Sequence, residues 1–105
     1  MGAESISGTA LESTVIAAKK SAAVLFWASW DAACRAYMPA FEQVDYEKGY
    51  NLSFFKCDVD SDQNTTTKFG VRCVPTVALF KAGTVSGRLA GAVTKTRLST
   101  FVDSL

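Results

Sequence analysis

Apolar positions recur along this chain at two spacings, and the switches between them mark out its elements. From Thr9 to Lys20, Leu11, Val15 and Ala18 share a helical face behind Thr9 and Glu12, which read as a capping box, so an amphipathic helix is predicted. AAVLFWA, Ala22 to Ala28, is apolar throughout, as in a strand buried on both faces. Tyr37, Phe41 and Val44, spaced i, i+4, i+7, predict a second helix from Asp31 to Lys48, with Pro39 as a source of kinking. NLSFFKCDV, Asn51 to Val59, predicts another central strand, and Ser61 to Phe69 a short helix between a Ser61 cap and a Gly70 stop. VPTVALF and TVSGRLA, separated by KAG, predict a hairpin over Val74 to Ala90. Leu98, Phe101, Val102 and Leu105 line one face of a last helix, Thr94 to Leu105. With a short opening strand near Glu4 to Ile6, the order is βαβαβαββα. That order predicts an α/β fold in a single domain over residues 1–105: a central mixed sheet of four or five strands, flanked by four helices on its two faces.

Composition narrows the chemistry by exclusion. The chain has no histidine, which removes Ser-His-Asp and Cys-His hydrolysis, histidine metal sites and histidine acid–base catalysis. A net charge of +1 with scattered Lys and Arg gives no electrostatic basis for nucleic acid or an anionic membrane. No run approaches the ~18 apolar residues of a membrane helix, and MGAESIS lacks the regions of a signal peptide. Ile6 stands where a myristoylation signal wants Ser or Thr. Cys34, Cys57 and Cys73 are an odd set without a C-x-x-C pair, which argues against a disulfide framework or a closed zinc site and suits a reducing compartment. The expectation is a cytoplasmic protein, with the nucleus as an additional location, and with no cofactor or metal of its own.

Four motifs in order carry a resemblance: FWASW followed by Cys34, Pro39 in the next helix, Val74-Pro75-Thr76 before a strand, and FKAG followed by Gly91-Ala92. Together with the element order, they make the chain similar to the thioredoxin family over its whole length. The resemblance implies a cis bond before Pro75 that aims the preceding backbone at the active-site loop. It also exposes departures. Where the family has W-C-G-P-C, Trp30 is followed by Asp31, Ala32, Ala33 and Cys34, so the attacking cysteine is replaced and only the resolving position remains. Leu25 matches the family's buried aspartate, which helps deprotonate the resolving thiol. Nucleophile and base are both missing.

Asp31 falls at a helix start, where a carboxylate is a good N-cap; the alternative is an acidic partner contact or a general base for Cys34. As a negative neighbour it disfavours a Cys34 thiolate. Cys57 reads as a buried hydrophobe. Cys73 is expected at the rim of the site, either as a free thiol or as a regulatory one, open to glutathionylation or to an intermolecular disulfide linking two otherwise monomeric chains. Trp30, Ala32, Ala33, Val74, Pro75, Gly91 and Ala92 are expected to converge on an apolar platform that holds an extended protein segment, unless they are inherited packing.

The implied function is a redox-inactive, protein-binding or targeting domain, similar to the N-terminal domain of the PICOT-type multidomain monothiol glutaredoxins. In those proteins, which serve redox and iron–sulfur homeostasis, glutaredoxin domains coordinate a cluster with glutathione. This chain has no C-G-F-S motif, so cluster chemistry would belong to another domain. The competing expectation is an atypical monothiol thioredoxin exchanging disulfides through Cys34, with Cys73 or glutathione as its second thiol.

Overall fold

In the computed structural model, which describes residues 3–50, 52–60 and 63–105, β2 (Ala22–Trp27) has only its last residue short of full burial. It is the middle strand of a five-stranded sheet ordered β1-β3-β2-β4-β5. β1 (Glu4–Ser5) and β3 (Ser53–Asp58) run parallel to β2, while β4 (Thr76–Lys81) and β5 (Thr84–Ala90) form the antiparallel hairpin beside it. Alternation along β2 sends Val24 and Phe26 to one face and Ala23 and Leu25 to the other. Leu11, Val15 and Phe69 cover the first face; Tyr37, Phe41 and Val44, with Leu98 and Val102, cover the second. Each wholly buried Leu, Val or Phe contributes roughly 1.5–3 kcal/mol to this two-sided core.

The predicted hairpin forms over a two-residue turn, Ala82 (φ 51°) and Gly83 (φ 83°). Gly83 is required: its amide donates to the Lys20 carbonyl at 3.1 Å, and a Cβ there would stand 2.5 Å from the Ile16 carbonyl oxygen. The first helix is correspondingly shorter than predicted. α1 (Gly8–Leu11) passes into a π turn over Glu12–Ile16, closed by the Ala17 amide donating to the Glu12 carbonyl at 2.8 Å. Ala18, assigned to the buried stripe, lies beyond it and is exposed. The capping box at Thr9 is also corrected. Ile6 is tied to Lys56 by a 2.9 Å backbone bond, so the chain turns two residues earlier and Ser7 Oγ accepts from the Ala10 amide at 3.0 Å.

α2 (Ala32–Lys48) contains Pro39, and α4 (Lys95–Asp103) starts from a Thr94 cap. α3 (Gln63–Lys68) ends before Gly70 at φ 69°, as predicted, while the proposed Ser61 cap lies outside the described residues. Lys68 of α3 pairs with Glu12 across the first face.

The topology dictates where the ends meet. β2 and β3 are parallel, so their C-terminal ends share one edge of the sheet; β4, antiparallel to β2, starts there, and β5 returns to it. Ala28–Asp31, Val59–Asp60, Cys73–Pro75 and Gly91–Ala92 therefore collect at that edge.

Candidate functional site

Asp31 marks the transition from β2 to α2. Its amide donates to the Ala28 carbonyl at 3.1 Å, its φ/ψ of −88°/122° is extended, and its Oδ1 accepts from the Cys34 amide at 2.9 Å. The carboxylate is thus an N-cap, satisfying an amide that the first helical turn leaves without an intrahelical partner. Arg35 reinforces the loop, its guanidinium donating to the Ser29 carbonyl at 2.9 Å.

The same hydrogen bond fixes Cys34 behind Asp31. Cys34 is fully buried. Burial is the largest influence on its thiol and pushes it above the ordinary cysteine range; a backbone hydrogen bond at Ala28 opposes this, and the negative Asp31, with its hydrogen bond, adds to the rise. A thiol of this kind is protonated near neutral pH and is a poor nucleophile. Leu25 supplies no base: it is fully buried among apolar side chains that include Tyr37, Phe41 and Val77. Its register partner on β3 is Lys56, whose ammonium pairs with Glu42 at 3.3 Å.

On the outer side the site is apolar and open. Trp30 is 66% exposed, Ala32, Ala33 and Ala92 are exposed, and Val74 and Gly91 are half-buried. Pro75 follows a cis peptide from Val74, as expected, but its ring is buried; it enters the surface through its carbonyl, which accepts from the Gly91 amide at 2.8 Å. The platform's apolar area therefore belongs to Trp30, the three alanines and Val74. The anchoring of the Trp30 ring has no local signal in the sequence: its Nε1–H donates to Asp60 Oδ2 at 2.6 Å, across 30 positions of chain. The Asp60 amide in turn donates to Asp58 Oδ1 at 2.9 Å.

Cys73 is exposed, as expected, beside a depression of about 200 Å³ lined by Thr66, Val71, Arg72 and Val74. Thr76 Oγ1 donates to the Cys73 carbonyl at 2.7 Å and holds the loop before β4. Cys57 is buried in β3. Among the described residues no group of three or more His, Cys, Asp and Glu is placed to hold a metal ion, and no helix is long and apolar enough to cross a membrane.

Comparison with known proteins matches the sequence to a family along nearly the whole chain. The sequence model of the Thioredoxin family fits residues 3–104. The chain is 33% identical to a thioredoxin of Acidithiobacillus ferridurans over 94% of its own length and 92% of the relative's. It is 34% identical to a thioredoxin of Rhodospirillum rubrum over 94% and 95%. A chloroplastic M-type thioredoxin of Brassica napus is 32% identical over 97% of this chain and 58% of the relative.

Proposed function

Since the chain belongs to the thioredoxin family, we propose that it uses the family's substrate-facing surface to hold polypeptide segments and carries out no dithiol turnover. The observation that supports this reading is the pairing of Asp31 with Cys34. The position expected to attack a disulfide is a carboxylate engaged as a helix cap, and the one remaining thiol is buried and shifted toward its protonated form. Above it lies an exposed apolar surface centred on Trp30 and Val74. An extended segment laid along Val74 gains strand-like backbone bonds without any chemical step. An odd set of three cysteines without a C-x-x-C pair suits a reducing setting, the cytoplasm. The narrower placement, as an N-terminal domain of a PICOT-type monothiol glutaredoxin, is supported only by the single cysteine retained in WASWDAAC; the relatives named above are thioredoxins.

Those relatives favour a second reading, thiol–disulfide exchange through Cys34. In that reaction the Cys34 thiolate displaces one sulfur of a partner disulfide, giving a mixed disulfide and a partner thiol. Release then needs two further thiols, such as two glutathiones: the first attacks the partner's sulfur in the mixed disulfide and frees Cys34, and the second reduces the resulting glutathione–partner disulfide, leaving glutathione disulfide. Insulin-disulfide reduction, supplied either by a thioredoxin reductase with NADPH or by glutathione, separates the two readings. The binding reading expects no turnover above the protein-free rate with either supply. Sustained turnover abolished by Cys34→Ser refutes it and establishes the exchange reading.

A further inference from the structure

We infer that the surface around Trp30 takes an extended polypeptide segment bearing an arginine or lysine side chain, which lies on the Trp30 ring and is neutralised by Asp31. The inference rests on the binding reading above and specifies the chemistry of its partner. Trp30 is 66% exposed, yet its indole N–H is tied to the Asp60 carboxylate at 2.6 Å, so the ring is presented in a fixed pose and little freedom remains to be lost on binding. Donating to a carboxylate also enriches the ring's π face, which strengthens its attraction for a cation.

Three carboxylates of the described residues stand at the same sheet edge as this ring. Asp31 follows it in the chain, and Asp58 and Asp60 close β3 at the same sheet edge, linked by the 2.9 Å bond from the Asp60 amide. Asp31 directs Oδ1 to the Cys34 amide, and capping leaves its net charge unneutralised. The basic residues of the neighbouring segments offset this charge only in part. Arg35 stays charged at the Ser29 carbonyl, 2.9 Å away, and Arg72 stands beside Cys73, on the β4 side of the site, against the three carboxylates of Asp31, Asp58 and Asp60. An apolar surface with an aromatic face and acidic flank on one side complements a segment whose apolar side chains straddle a single cation.

The test is selection of displayed random twelve-residue peptides on the wild-type protein, on Asp31→Asn, and on Trp30→Ala as the control for the surface. Asn is itself a good N-cap, so Asp31→Asn removes the charge and keeps the helix start. Wild type should enrich peptides with Arg or Lys flanked by apolar residues, and Trp30→Ala should lose them. By calorimetric titration, replacing that Arg or Lys with Gln should weaken binding to wild type about five- to tenfold, and the difference should shrink to about two- to fivefold in Asp31→Asn, where the ring contact remains. Trp30-dependent peptides without a basic residue, or a Gln effect undiminished in Asp31→Asn, would overturn the inference and leave the binding reading standing. Recovery of no Trp30-dependent peptide would overturn both. Binding of a second copy of the chain alone, seen by sedimentation, would assign the surface to self-association and overturn the basic-segment inference.

Discussion

Replacing Asp31 with Ala removes two contributions that can be separated by chemistry. The first is the hydrogen bond from the Cys34 amide to Oδ1, 2.9 Å long, whose loss at an N-cap costs about 1 kcal/mol. The second is a negative charge at the positive end of α2, a helix of 17 residues, which contributes ~0.3–1 kcal/mol when half-exposed. Asp31→Ala should therefore destabilise the protein by about 1–2 kcal/mol. For a domain of this size each 1 kcal/mol moves Tm by ~4–8 °C. Asp31→Asn retains the acceptor and loses only the charge, so its cost should be about 0.3–1 kcal/mol. Urea unfolding followed by tryptophan fluorescence gives the order: wild type, then Asn, then Ala. A second readout follows the thiol. Both substitutions remove the carboxylate that helps raise Cys34, so the pH at which Cys34 reacts with iodoacetamide should fall, while burial keeps it above the ordinary cysteine range. The measurement belongs in a Cys73→Ser background, where the exposed thiol no longer competes. An Ala variant as stable as wild type, or an Asn variant as unstable as Ala, would refute the capping argument. A Cys34 profile unchanged in both would refute the electrostatic one.

Asp31→Cys should form an internal disulfide with Cys34 yet reduce insulin slowly, because no carboxylate stands at Leu25. Adding Leu25→Asp should raise the rate while costing on the order of 3–5 kcal/mol in stability; a single variant as fast as an ordinary thioredoxin would show that Leu25 is no handicap. Mild oxidation should give a disulfide-linked dimer through exposed Cys73, seen on non-reducing gels and lost in Cys73→Ser; a dimer that survives there and disappears in Cys34→Ser would identify the other cysteine. Tyr37 is 3% exposed, its hydroxyl pairs with no protein group among the described residues, and burial pushes it up to about 12. Its contribution is therefore fully present below the unfolded value near 10 and lost as pH rises toward 12, a decline of roughly 2–3 kcal/mol. Tyr37→Phe should flatten that decline, and an unchanged alkaline curve would count against the burial argument.

The elements that positioned the site were legible because their signals are local. Asp31 precedes an i, i+4, i+7 apolar series, and the helix begins one residue later with Asp31 as its cap. The continuous apolar run around Val24 marked the central strand for the same reason. What was missed depends on contacts distant in sequence. Ser7 and Thr9 are both capable caps, and the choice between them is made by the pairing of Ile6 with Lys56. The π turn at the end of the first helix sits where the tip of a hairpin about 70 positions away packs against Ile16 and Lys20. The buried ring of Pro75 and the tether between Trp30 and Asp60 likewise arise only once β2, β3 and β4 share an edge.

The register of β2 on β3 sets an order on the mutational routes open to this site. Lys56 stands beside Leu25 in the sheet, but its ammonium is already committed to Glu42 on the neighbouring helix. A carboxylate arriving first at position 25 would enter an apolar interior whose nearest register cation is engaged elsewhere, and the variant would lose stability with no second thiol to serve. A cysteine arriving first at position 31 would exchange one helix-cap residue for a weaker one at the surface and leave the interior untouched. Any route to a two-thiol site is therefore directional: it is passable through Asp31 and obstructed through Leu25, so the interior leucine decides which substitution can come first.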